Sequence, residues 1–127
     1  MRLGVRDYFG VATVLIVDDH PSFRATARAI LEADGFEVVG EAADGASAVE
    51  AARELHPEVV LLDVQLPDMD GFAVATSIIG KNGYAPTIVL TSSRDAADFG
   101  SLVADCGARG FIPKADLSGP ALHAVLR

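Results

Sequence analysis

Two apolar runs in this chain end in carboxylates. Val59-Val60-Leu61-Leu62 gives way to Asp63, and Val14-Leu15-Ile16-Val17 gives way to Asp18-Asp19. A short, unbroken apolar run reads as a strand buried on both faces, which places each acid at a strand's carboxyl end. In open α/β sheets that edge is where ligands bind. Three carboxylates gathered there repel one another, and each raises the proton affinity of its neighbours. A hard divalent cation relieves the repulsion. Mg2+ (or Mn2+) takes oxygen ligands, keeps several waters and is held by one or two carboxylates. Lys114, following Phe111-Ile112-Pro113, can add an ammonium, and Thr91, following Thr87–Leu90, a hydroxyl donor. Three negative charges are then offset by one divalent cation and one lysine. A neutralised site of this kind suits an incoming phosphoryl group, and a single carboxylate can accept it.

The elements that would carry these groups alternate along the whole chain. The predicted strands are Val14–Val17, Phe36–Val39, Val59–Leu62, Thr87–Leu90 and Phe111-Ile112. Helices are expected between and after them. The first opens at Pro21, a position that tolerates the missing N–H, and stops at Gly35. The second is capped by Asp44 and runs to about Leu55. The third spans Gly71–Ile79, the fourth Ala96–Asp105, and the last is capped by Ser118 with Leu122, Val125 and Leu126 on one face. Gly80-Lys81-Asn82-Gly83 reads as a loop. Five βα units predict an α/β fold with a doubly wound parallel sheet and helices on both faces. Residues 1–12 read as an N-terminal extension and 13–127 as the domain, its last helix short or truncated.

Bulk composition narrows the function. The 127 residues fit one domain, and 50% hydrophobic content supplies a core. Net charge is −8, from 10 basic and 18 acidic residues, which argues against direct nucleic-acid binding. No apolar run approaches the ~20 residues needed to span a bilayer, and the first ten residues lack the apolar segment of a secretory signal. Cys106 is alone, so no internal disulfide forms, and it reads as a packed small residue near a helix end.

Taken in order, Val17-Asp18-Asp19, Leu62-Asp63 with Pro67 and Gly71 after it, Leu90-Thr91-Ser92 and Phe111-Ile112-Pro113-Lys114 resemble the receiver (response regulator) domain of bacterial two-component signalling. The match runs from about residue 13 to 126. The Asp19-His20-Pro21 opening and the run into Lys114-Ala115-Asp116 are most similar to receivers joined to a C-terminal helix-turn-helix domain. The resemblance implies a flavodoxin-like five-stranded parallel sheet in order 2-1-3-4-5. Chemotaxis receivers share that strand order, and ligands in such sheets bind where the order reverses. The resemblance also implies roles. Asp63 is the phosphoacceptor. Asp19 and Asp63 are direct metal ligands, Asp18 acts mainly through water, and the Gln65 backbone carbonyl completes the set. Lys114 pairs with the phosphoryl group, Thr91 moves toward it, and Phe111 swings inward. The donor is a phosphohistidine on a histidine kinase. A homodimer would use the face of the fourth helix, fifth strand and fifth helix, or the first and fifth helices. The setting is cytoplasmic and the output transcriptional regulation. Gln65 and Ser93 would flank the attacking water, and both are uncharged, so dephosphorylation is expected to be slow. Beyond that self-phosphorylation chemistry no enzyme is expected.

The sequence departs from the family in the fifth loop. Ala115 follows the lysine where many receivers carry proline, and Ile112-Pro113 becomes the cheaper place for a cis peptide. Other readings are weaker. A haloacid-dehalogenase-like hydrolase needs an acid two residues after the nucleophile, where Gln65 stands. A pseudo-receiver would use the fold only for dimerisation or docking. A flavin site lacks its phosphate-cradling loop, since Asp18-Asp19-His20-Pro21 is acidic. Asp68 and Asp70 read as loop and cap residues, and His20 lies beside the pocket.

Overall fold

The computed structural model describes residues 12–80 and 83–127. The expected extension therefore lies almost wholly outside the described residues, as do Lys81 and Asn82 of the expected loop. Five strands, β1 (Thr13–Val17), β2 (Glu37–Ala42), β3 (Val59–Asp63), β4 (Thr87–Ser92) and β5 (Gly110–Pro113), form one sheet in the order β2-β1-β3-β4-β5. Every neighbouring pair is parallel. Five helices intervene: α1 (Pro21–Ala33), α2 (Gly45–Leu55), α3 (Gly71–Ile78), α4 (Leu102–Asp105) and α5 (Gly119–Leu126).

Strand periodicity builds two cores. In β1, Val14 and Ile16 face one side while Leu15 and Val17 face the other. The first side packs under α1 and α5 through Ala27, Leu31 and Leu122. The second packs under α2 and α3 through Ala48, Ala52, Val74 and Ile78. Because β1, β3 and β4 are covered on both faces, their sequences are apolar without alternation. Asp44, Asp70 and Ser118 cap α2, α3 and α5 through bonds of 2.8, 2.8 and 3.0 Å to backbone N–H groups.

Three local expectations are corrected. Strand β2 runs through Gly40 to Ala42 instead of stopping at Val39, because pairing with β1 overrides a locally weak strand former. Its register shifts between Val14 and Leu15, and Gly40 leaves the space that Leu55 fills. The expected fourth helix is broken into a 3-10 turn at Ala96–Phe99 and the short α4, with Gly100 at φ 58° and ψ −131° between them. That conformation ends a helix. No peptide bond among the described residues is cis, so Ile112-Pro113 is trans, and β5 leads directly into a 3-10 turn at Lys114–Asp116.

Candidate acidic site at the carboxyl edge of the sheet

The carboxyl ends of β1, β3, β4 and β5 converge. Asp18 extends β1 by donating its backbone N–H to Ala42 O (3.0 Å), and Asp63 is the last residue of β3. Thr91 lies beside Asp63 in the β3–β4 register, and Lys114 follows β5 immediately. A cleft of about 230 Å³ opens here, lined by Asp19, His20, Asp63, Gln65, Leu66, Pro67, Ser93 and Lys114.

The loop after β3 folds back on the strand. The Gly71 N–H donates to Val64 O at 2.6 Å, and Gln65 bridges Asp70. A Cβ at Gly71 would collide with the Asp63 carbonyl, which explains glycine at this distance from the acid. Asp68 reaches across to α2, accepting from Gly45 N (2.7 Å) and Ala46 N (3.0 Å). These bonds hold its carboxyl below the usual range. The loop that shapes the cleft is thereby fastened to a second helix.

Charge is concentrated where two of the carboxylates are buried. Asp18 is fully buried and Asp63 only 4% exposed. The Lys114 ammonium lies 2.6 Å from Asp18 Oδ2 and 3.2 Å from Asp63 Oδ2. Phe23 of α1 lies beneath it, with the ring centre 4.6 Å from Nζ. Burial pushes the Asp63 carboxyl above its ordinary range, the Asp18 charge pushes the same way, and Lys114 only partly offsets them. Burial acts on Asp18 too, but Lys114 and the His20 backbone and ring outweigh it, and its affinity for a proton is lowered. Burial works against the Lys114 ammonium, yet its two carboxylates outweigh that and hold it protonated.

The polar atoms are not all satisfied. Asp18 Oδ2, Asp19 Oδ1 and the Thr91 hydroxyl are buried without a hydrogen-bond partner among the described residues, although Asp18 Oδ2 touches the ammonium as an ion pair. Such groups are costly unless a ligand or water completes them. Donor atoms of Asp18, Asp19, His20 and Asp63 lie within 4.8 Å of one another. Clustered carboxylate oxygens with free lone pairs fit a divalent cation.

The residues expected to form the site are thus brought together, with two qualifications of position. Gln65 lines the cleft and donates its N–H to Asp63 Oδ1 (3.3 Å). Phe111 stands apart from the acids, half-buried in an aromatic row with Phe99 (5.9 Å) and Phe72, which is 5.7 Å from Phe99. Two supports have no counterpart among the residues expected at the site. One is Phe23, which the helical spacing places only toward the sheet, and the other is Arg24. Arg24 donates to the Asp18 carbonyl (2.7 Å) and to Glu41 (2.9 Å), bracing the acidic turn against β2. Their only sequence signal is nearness to the acid pair in the first turn of the following helix.

Comparison with known proteins agrees with this architecture. A family model for the response regulator receiver domain matches residues 14–127. The nitrate/nitrite response regulator protein NarP of Escherichia coli (strain K12) is 42% identical over 102 residues, covering 80% of this chain and 47% of NarP. The chain spans about half the length of several curated relatives it matches. A LuxR-family two-component response regulator from Aurantimonas sp. SI85-9A1 superposes with a TM-score of 0.81 at 31% identity, covering 91% of this chain and 85% of that one. The CheX-CheY-BeF3-Mg+2 complex from Borrelia burgdorferi gives 0.79 at 26%, covering 91% and 86%.

Proposed function

The chain belongs to the response regulator receiver family, and from that premise we propose that it is a phosphoryl-accepting switch with Asp63 as acceptor. The observation that carries this reading is Asp63 itself, nearly buried, with its carboxylate 3.2 Å from Lys114 and beside two further acids. Asp18, Asp19, Asp63 and the Gln65 carbonyl would hold Mg2+ (or Mn2+). The bound cation would neutralise charge around the acceptor and the incoming phosphoryl oxygens. Lys114 pairs with one of those oxygens. A histidine kinase is the donor class in this reading, in the cytoplasm. Similarity to NarP and to a LuxR-family regulator supports control of transcription as the output.

The switch has a physical basis. A phosphoryl group brings about −2 charge and three strong acceptors. The orphaned Thr91 hydroxyl is available to donate to one of them, and Phe111 can follow into the space it leaves. Turning a 1:99 equilibrium into 99:1 takes about 5.5 kcal/mol. Two hydrogen bonds to a charged group, at roughly 1.5–3 kcal/mol each, reach that order. Dimerisation through the α4–β5–α5 face, or through α1 and α5, is the structural readout of this proposal.

The test is labelling with an acyl phosphate donor and Mg2+, read by intact mass. The wild-type protein gains one phosphoryl group and Asp63→Asn gains none. Equal labelling of the two contradicts the proposal. No labelling together with no Mg2+ binding returns the fold to a docking module.

A further inference from the structure

We infer that Phe23 is a positioning residue for Lys114, its ring face holding the ammonium at the pocket while the carboxylates change partners. The inference deepens the phosphoacceptor reading and rests on it. Among the described residues the Lys114 ammonium has three close partners: Asp18 Oδ2 at 2.6 Å, Asp63 Oδ2 at 3.2 Å and the centre of the Phe23 ring at 4.6 Å. Asp18 and Asp63 are the acids assigned to the cation, and Asp63 is also the acceptor. Both therefore loosen their hold on Lys114 when the site is loaded. The Phe23 face is the one contact that neither the cation nor the phosphoryl group claims.

The surroundings strengthen that contact. An aromatic face carries negative potential, and it draws an ammonium within about 6 Å most firmly where water is excluded. The Lys114 side chain is only 16% exposed. Its ammonium rides on a flexible stem, so the backbone alone does not fix where it points. Phe23, in contrast, is held on both sides. It lies in the first turn of α1, closed by the Arg24 N–H donating to His20 O (3.1 Å), and the Arg24 guanidinium ties that turn to the Asp18 carbonyl (2.7 Å). The ring packs against the core that contains Ala27, Leu31 and Ile112. It is thereby fixed to the same stretch of chain that carries the acid pair.

A ring that served only the core would need bulk and no charge pattern, and leucine offers that bulk. Fluorine keeps the shape of the ring nearly unchanged and withdraws electron density from its face, so it separates the two roles.

The experiment replaces Phe23 in the full chain by mono-, di- and trifluorophenylalanine through site-specific incorporation, alongside Phe23→Leu. The labelling rate with an acyl phosphate donor and saturating Mg2+ is read by intact mass. The rate is expected to fall stepwise with each fluorine, and by about three- to tenfold in Phe23→Leu. In proton NMR of the metal-free protein, the Lys114 ε-methylene resonance is expected upfield of the ordinary lysine position, shifted by the ring current of Phe23, and to return to that position in Phe23→Leu. A rate that stays flat across the fluorinated series, or an ε-methylene resonance that Phe23→Leu leaves in place, overturns the inference. Either result in a protein whose wild type labels on Asp63 rejects the role of Phe23 alone. A wild-type protein that takes no label rejects the phosphoacceptor reading and this inference with it.

Discussion

The two edges of the one sheet are built to opposite rules. At the amino edge, Thr13 and Glu58 exchange bonds. Thr13 N donates to Glu58 Oε1 (3.1 Å), and Glu58 N donates to Thr13 Oγ1 (2.9 Å). Thr87 N donates to Glu58 O (2.9 Å), stitching β4 into the same knot. At the carboxyl edge, two carboxylates share one ammonium, and Asp18 Oδ2, Asp19 Oδ1 and the Thr91 hydroxyl lack hydrogen-bond partners among the described residues. The same strands supply both ends, so the contrast cannot come from the core between them. One edge spends its polar groups on the fold, and the other leaves several of them unsatisfied. An unsatisfied buried group costs roughly 1–3 kcal/mol. The acidic edge is stable only because the closed edge and the two apolar cores offset that cost.

Substitutions at the two edges should therefore differ in their response to metal, and removing a strained or unsatisfied group at the acidic edge should differ in sign from removing a satisfied one at the closed edge. The largest effect is expected from Lys114→Ala, which strips the cation from two buried carboxylates. It should lower stability by roughly 3 kcal/mol in chelator. Added Mg2+ should restore much of that, measured by thermal melting. Failure of Mg2+ to rescue would undo the contrast between the edges.

Next is Asp63→Asn, which should stabilise the metal-free protein at neutral pH through loss of a desolvated, repelled charge. The sign follows from linkage. The folded-state affinity of Asp63 for a proton is raised, so the stability it contributes is present at low pH and is lost as pH rises through the raised value. The advantage of Asp63→Asn, followed by melting across a pH series, should shrink as pH falls back through that value. Asp18 runs the other way. Its folded-state affinity is lowered, so its contribution is present above the ordinary carboxylate range and is lost as pH falls through the lowered value.

On the closed edge, Thr13→Ala should cost about 1 kcal/mol by removing the hydroxyl to which Glu58 N donates. Mg2+ should not rescue it in the same melting assay, and Asp63 labelling should be unaffected. The smallest effect is expected from Thr91→Val, which replaces an orphaned hydroxyl with a methyl of similar shape. Stability should hold or rise by up to about 1 kcal/mol. Phosphorylation should persist, while its coupling to dimerisation, followed by sedimentation, should be lost.

Much of this was legible in the residue order because burial writes itself into sequence. Val59–Leu62 and Val14–Val17 are apolar without alternation, and the acids that interrupt them mark the edge directly. Helix caps at Asp44, Asp70 and Ser118 are local and were equally readable. Non-local features were not. The continuation of β2 past Gly40 depends on a shifted register with β1. Asp68 caps a helix more than twenty residues away in sequence, and no spacing rule connects them. The break at Gly100 turns on one residue's backbone angles within a segment whose composition suits a helix. His20 could be placed beside the pocket, but the turn of its ring toward both acids required the fold. The support from Phe23 and the Arg24–Glu41 brace has the same character, since each is a tertiary contact between individually ordinary residues.

If the open edge is where a phosphoryl group arrives, Asp63 must be the side chain that carries it. Peptide-level mass spectrometry after treatment with an acyl phosphate donor, with and without Mg2+, locates the label. One phosphoryl group is expected, on Asp63, and only when the cation is present. A label on His20 or another side chain, or one formed equally well in chelator, would refute the assignment.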